Sequence, residues 1–184
     1  HTVRYLKLKQ IIFQIFRRIY KPRISFQGAF PSHRLLKKPD ISFLNKNSSL
    51  IGAGKFKFFD DIGDLKNFGW NGDNKEKLWR YNQHYFDDLN ALDSTIRSKW
   101  HQLLLSDWLK NNPCGYGAGW DPYPISLRIV NWIKWDLGLD NLSPSARQSL
   151  FLQGLTLEKK LEYHILGNHL FANAKALIFF GCYF

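Results

Sequence analysis

Residues 161–180, LEYHILGNHLFANAKALIFF, read as a helix that is apolar nearly all the way round, with Asn168 and His169 in its middle and Gly167 just before them. A helix of that composition is expected to be buried on every side. An amide and an imidazole inside it are unfavourable unless each finds a hydrogen-bond partner. Two readings follow: a satisfied polar network in a core, or a polar cavity into which both side chains project. Adjacent residues point to different azimuths of one helix, so a cavity supplies partners to both more easily.

Working back from this stretch, the chain is helical in character from Leu78 onward. The segments are LWRYNQHYFDDLNAL (78–92), STIRSKWHQLLLSDWLKNN (94–112), YPISLRIVNWIKWDLG (123–138) and SPSARQSLFLQGLTLEKKLEYHI (143–165). Asp93 or Ser94 offers an N-cap for the second, and Gly138 is placed to close the third. Ser143 is placed to cap the fourth, with Pro144 at its first helical position. Short links between successive helices predict antiparallel neighbours, and so an all-α fold of stacked helical hairpins. No strict sequence repeat is visible.

The N-terminal part differs. Leu8, Ile11, Ile12, Ile15, Phe16 and Ile19 recur at helical spacing, with basic residues on the other side, predicting a basic amphipathic helix over residues 3–20. Such a helix either packs on the domain with its charges solvated or lies on an anionic membrane. It is expected to contribute little to any substrate cleft. Residues 22–75, with Pro22, Pro31, Pro39 and repeated Gly, Asn and Asp, read as loops with short extended pieces such as KFKFF at 55–59. The expected organisation is therefore 1–23 as the amphipathic helix, 24–77 as an irregular lead-in, and 78–184 as the helical domain.

Charge follows the same division. The whole chain of 184 residues has a formal net charge of +11. Residues 1–39 hold five Lys and five Arg and no acid, a net +10, leaving sixteen bases against fifteen acids, a net +1, elsewhere. A near-neutral body weakens the case for a strongly basic polyanion cleft. Hydrophobic residues make up 45% and aromatic residues 16%, enough for one packed domain. The chain has no Met and stops on LIFFGCYF, which predicts a piece of a longer protein. Cys114 and Cys182 give neither a metal spacing nor a disulfide framework. No stretch reaches the roughly 18 apolar residues of a membrane span, and Lys7, Lys9, Arg17 and Arg18 interrupt any signal-peptide core.

Common catalytic signatures are missing: no phosphate-binding glycine loop, no nucleophile elbow and no His-Glu-x-x-His pair. His164 and His169, five apart, fall on different faces of one continuous helix, so no metal or other cofactor is expected. The aromatic helices are not the basic part, so no nucleic-acid partner is expected either. What remains is a set of aromatic and amide-bearing residues suited to sugars, whose C–H faces stack and whose hydroxyls hydrogen-bond. Trp79, Tyr81, Asn82, His84 and Tyr85 form one group; Asn168, His169 and Asn173 form another. The loop NNPCGYGAGWDPYP (111–124) has three Gly, three Pro, two Tyr and a Trp, and loops of this kind often carry function. Trp120 is read there either as core or as a sugar-stacking platform. Trp120, Tyr123 and Arg128 are expected around one mouth, with Arg128 forking onto a carboxylate.

LWRYNQHYFDDL, GWDPYPISLRIVNWIKW and LEYHILGNHLFANAKAL together resemble the N-terminal half of heparinase II/III-like proteins, relatives of bacterial heparin and alginate lyases. The likeness spans about residues 78–184, and the opening TVRYLKLKQI is also similar to the start of such chains. The resemblance implies an incomplete (α/α) toroid of helical hairpins, with a β-sandwich domain beyond the end of this sequence. It implies β-elimination in uronic-acid polysaccharides, where a side chain that hydrogen-bonds the carboxylate stabilises the enolate-like intermediate as an oxyanion hole does. That role falls on Asn168, and His169 is expected to assist in charge stabilisation or proton transfer. Tyr81, His84, Trp120, Tyr123 and Arg128 are the expected substrate-binding residues. The family's catalytic Tyr and second His should fall after residue 184, so this chain alone is not expected to turn substrate over. A uronate polymer less charged than heparin suits the near-neutral body. A non-catalytic glycan-binding or surface-polysaccharide assembly role on the same fold is the alternative. The expected location is the periplasm, with a cytoplasmic or membrane-peripheral placement through residues 3–20 as the other possibilities.

Overall fold

The computed structural model describes residues 6–20, 22, 24, 26, 28–32, 46–72, 74–139 and 141–184. The expected helical start at residues 3–5, and the loop reading of 33–45 including Pro39, lie outside them. The chain is mostly helical, with α1 at Leu8–Ile19, α2 at Leu65–Phe68, α3 at Lys77–Gln83, α4 at Ser98–Asn111, α5 at Pro122–Leu139, α6 at Pro144–Lys159 and α7 at Gly167–Tyr183. Short 3-10 turns occupy Asp87–Asn90, Ser94–Arg97 and Ala118–Trp120.

The all-α expectation needs correction. The lead-in contains a three-stranded antiparallel sheet: β1 (Leu50–Gly52), β2 (Lys55–Phe58) and β3 (Asp61–Asp64), in the order β1-β2-β3. Its driving force is the strict alternation of KFKF, which turns Phe56 and Phe58 inward and both lysines outward. The two rings stack 5.4 Å apart and meet the edge of Trp79 on α3. This is the extended piece read as KFKFF, now joined into a sheet.

Asp88 fastens the sheet to the helices. Its Oδ2 accepts from the backbone N–H groups of Ser49 and Leu50 at 2.6 and 2.9 Å, while Oδ1 accepts from Arg97 and His101, each at 2.7 Å. Burial alone would raise this carboxyl, but the bonds to His101, Leu50, Arg97 and Ser49 together hold it at about 2.

The helical core is built around α5. Ile125, Ile129, Trp132, Ile133 and Trp135 are buried on it, pointing in several directions, so α5 must be enclosed rather than covered on one side. It packs chiefly on α7, and less on α6, so the strongest helix pairing skips a helix instead of joining sequence neighbours. Trp108 of α4 meets Trp132 edge-on at 5.5 Å. Asp136 ties three helices at one end. It accepts from the Leu142 N–H at 2.6 Å, from Arg147 at 3.2 Å, and from the Tyr183 hydroxyl.

Helix boundaries are mixed against expectation. Ser143 accepts from the Ala146 N–H and Pro144 opens α6, as the local sequence predicts. Gly138 does not close α5, which runs to Leu139. Neither Asp93 nor Ser94 caps α4: Asp93 takes a left-handed φ of 54° ahead of a 3-10 turn, and α4 begins at Ser98. The 78–92 segment breaks after Gln83, ahead of the left-handed Phe86, and the 143–165 helix ends at Lys159.

Candidate functional site

Residues 161–180 are not one helix. Leu166 and Gly167 both have positive φ, 64° and 53°, and α7 starts at Gly167 after a turn. Leu166, at ψ −156°, occupies a region that L side chains avoid. This strained turn places Glu162, Tyr163 and His164 beside the first turn of α7, not above it on a common cylinder.

A polar network results. The buried Glu162 carboxylate lies 3.1 Å from Nδ1 of His169 through Oε1, and through Oε2 it accepts from the Asn173 amide at 3.1 Å. Asn173 also donates to Ser126 Oγ at 3.0 Å, and its own carbonyl accepts from the Glu162 N–H at 2.9 Å. His169 is thereby fixed with its ring against Tyr123, centroids 4.3 Å apart. Tyr85 meets Tyr123 edge-on at 5.9 Å.

Of these, Tyr85, Tyr123, Glu162 and His169 line a cavity of about 1130 Å³. Its walls are α1 (Phe13, Phe16, Arg17), α3 (Lys77, Tyr81), the start of α5 (Asp121 to Tyr123), the end of α6 (Glu158 to Lys160) and the turn before α7 (Leu161 to Ile165). Aromatic faces and charges of both signs are mixed in it, an arrangement that can stack a ring and hydrogen-bond its substituents. Tyr81 donates to Asp121, and Lys77 lies over the Tyr81 ring at 5.0 Å. Tyr85 is buried, and its hydroxyl has no hydrogen-bond partner among the described residues. Burial, with Asp121 for Tyr81 and with Tyr123 for Tyr85, pushes both phenols well above their ordinary value. Both are donors rather than bases at neutral pH.

The expectation that α1 stays clear of any cleft is corrected. The Gln10 amide donates to the His164 and Ile165 carbonyls at 3.4 and 3.3 Å, and Arg17 donates to the His164 ring. Burial, then Arg17 and His169, lower the His164 pKa. His164 and His169 line the same cavity, because the turn at 166–167 brings together what a continuous helix would have separated. Among the described residues no group of His, Cys, Asp and Glu could hold a metal ion.

Of the expected site residues, the structure brings together Tyr81, Tyr123 and His169. Asn168 stands apart. It is exposed, does not line the cavity, and its side chain makes no hydrogen bond among the described residues. The premise of a helix buried all round is therefore wrong, for Phe171 and Ile178 of α7 are exposed as well.

His84, Trp120 and Arg128 are core residues and not cavity residues. Trp108 Nε1 donates to His84 Nδ1 at 3.0 Å, which puts the ring proton on Nε2, facing the Trp70 carbonyl at 2.9 Å. Burial, then the Arg128 charge, lowers the His84 pKa to about 3. Trp120 is 2% exposed, donates to the Asn112 carbonyl at 3.2 Å, and packs on Trp108. Arg128 is fully buried and donates to Gln153 Oε1, the His84 carbonyl and the Gly119 carbonyl at 2.9, 3.2 and 2.8 Å. Its guanidinium stacks 4.1 Å from the Trp108 ring. A Cβ at Gly119 would lie 2.6 Å from His84 Nδ1, so glycine lets this loop fold inward and carry Trp120 with it. The aromatic loop thus buries Trp120 in the core, while its Gly115, Asp121, Pro122 and Tyr123 line the cavity.

Glu162, Asp121 and Tyr85 are the residues that the expected site set omits. Tyr85 belongs to the aromatic group at 79–85, and Asn173 follows His169 by one helical turn, so both carried a signal. Glu162 and Asp121 had none, since each is defined by a partner that only the folded chain supplies.

No family model matches the sequence, and neither a curated protein nor a solved structure matches it significantly.

Proposed function

We propose that the chain is part of a polysaccharide lyase of the heparinase II/III-like type, binding a uronic-acid polysaccharide in the cavity beside His169. The incomplete (α/α) toroid implied by the sequence resemblance belongs to this proposal. The observation that carries the binding half is His169, held by the buried Glu162 on the wall of a cavity that mixes aromatic faces with charges of both signs. Tyr81, Tyr123 and Tyr163 offer ring faces, and Arg17, Lys77, Lys159 and Lys160 offer cations for carboxylates. His169 keeps the catalytic role that the resemblance implies, while Asn168, exposed and outside the cavity, would act only on polymer running over the first turn of α7. In this role His169 is oriented by Glu162, as a general acid or base usually is by a carboxylate.

The test titrates the chain with alginate or polyglucuronate, following tyrosine and tryptophan fluorescence, and separately follows the ultraviolet absorbance of unsaturated uronate. Lys77→Ala/Lys159→Ala removes two exposed cations of the cavity, so it should fold normally and bind roughly tenfold or more weakly, the loss expected for a hydrogen bond to a charged group. Unchanged affinity in Lys77→Ala/Lys159→Ala, or no binding by the parent chain, overturns the assignment of the cavity.

The exposure of Asn168, outside the cavity, favours a second reading, glycan binding without cleavage. Binding by this chain, with no unsaturated product from a protein that also carries the family's Tyr and second His, supports that reading over the lyase.

A further inference from the structure

α1 faces the protein with the wrong side. Lys9, Gln10, Phe13 and Arg17 make its contacts with the body, through the Tyr163 ring 4.4 Å from the Lys9 ammonium and 4.8 Å from Phe13, the His164 and Ile165 carbonyls, and the His164 ring. Its purest aliphatic stripe points to solvent: Leu8, Ile12, Ile15 and Ile19 are 73, 54, 55 and 79% exposed. No residue of α1 is buried. At 100° per residue these four fall within an arc of about 60°, a continuous ridge along three turns. A helix whose only task was to complete the domain would bury that ridge.

The charges tell what it suits. Every charged residue of the segment 6–20 is basic, and residues 1–39 contain no acid. On the same helical wheel Lys7 and Arg18 flank the ridge about 100° to one side, while Lys9, about 90° to the other, lies over the Tyr163 ring. Cations on the open margin of an aliphatic face can extend to lipid phosphates while the face enters the acyl boundary. A second copy of the helix carries no acid to meet these cations, which leaves them unmatched on pairing.

We propose that α1 docks on an anionic lipid surface, with Leu8, Ile12, Ile15 and Ile19 inserted at the headgroup level and Lys7 and Arg18 on the phosphates. The site is separate from the cavity, although α1 supplies one cavity wall, so lipid binding does not depend on the glycan reading. Attraction to the surface is electrostatic at long range and hydrophobic on contact, so both salt and apolar substitutions weaken it.

The test is co-sedimentation of the full chain with vesicles of phosphatidylglycerol and phosphatidylcholine in equal parts, and with phosphatidylcholine alone. The chain should sediment with the anionic vesicles, poorly with the neutral ones, and less as salt rises. Ile12→Ser/Ile15→Ser removes exposed side chains only, so it should fold normally and lower partitioning by about tenfold or more. Lys7→Glu/Arg18→Glu should remove the preference for anionic lipid. Three results overturn the proposal: no sedimentation with anionic vesicles, equal sedimentation of the parent chain and Ile12→Ser/Ile15→Ser, or a dimer that this double variant dissociates without any lipid binding by the parent.

Discussion

The Nδ1 atom of His169 lies 3.1 Å from the buried Glu162 carboxylate, across a turn that the strained Leu166 and Gly167 create. One Glu162 oxygen serves His169 and the other serves Asn173, so the carboxylate links the cavity wall to the α5–α7 contact through Ser126. Its removal should therefore affect two properties. Glu162→Ala is expected to lower stability by about 1–3 kcal/mol, since it leaves the Asn173 amide without one of its acceptors. Urea denaturation measures this. Polyuronate affinity should fall as well, because His169 loses the group that fixes its ring. A Glu162→Ala chain with parental stability would show that the network does not hold.

Asn168 separates catalysis from structure cleanly. Its side chain is exposed and makes no hydrogen bond among the described residues, so Asn168→Ala should change stability by no more than about 0.5 kcal/mol. If it stabilises the enolate-like intermediate, the same substitution in the protein that turns polyuronate over should cost roughly 100- to 1000-fold in rate. Thermal melting and the unsaturated-uronate assay report the two effects independently. An unchanged rate removes Asn168 from the chemistry.

Arg128 and Trp120 should behave as core residues. Arg128→Met leaves Gln153 and two backbone carbonyls without their donor inside the core, and removes the plane stacked on Trp108. A loss of about 3–5 kcal/mol, large enough to unfold a marginal domain, is expected. Trp120→Ala should cost a similar amount through the cavity it leaves. Circular dichroism and urea titration check both. A folded Arg128→Met chain whose only defect is weak glycan binding would return Arg128 to the site.

Acid should destabilise the fold in two steps. His84 is neutral when folded, with a pKa of about 3 against 6.5 for the free side chain. The unfolded chain therefore binds the extra proton, and the contribution of His84 is complete above 6.5 and shrinks as pH falls toward 3. The slope is about 1.4 kcal/mol per pH unit for one proton. Asp88, held at about 2 against 3.8, adds a second loss between those values. Urea midpoints across this range should fall continuously, and His84→Gln should flatten the upper part while lowering the plateau. A midpoint independent of pH between 6 and 4 would contradict the buried neutral imidazole.

What the sequence determined by itself was local. The α6 start was legible because its cap is made by Ser143 and Ala146, three residues apart, and depends on little else. The amphipathic character of α1 and the alternation of KFKF were legible because periodicity is a property of neighbouring residues. Tyr81, Tyr123 and His169, suited to sugars by chemical type, do line one cavity. Tertiary structure decided which polar groups face a cavity and which are locked in the core. Arg128 meets the His84 carbonyl across 44 residues and Gln153 across 25, and no local pattern distinguishes an arginine with such partners from one on a surface. The break at Leu166 was likewise hidden. A leucine in a strained left-handed turn has no signature of its own, and only packing on both sides can hold it there. That turn separates α6 from α7, sets Glu162 against His169, and leaves Asn168 facing solvent, because burial is a property of the assembled chain and hydrophobic periodicity only proposes it.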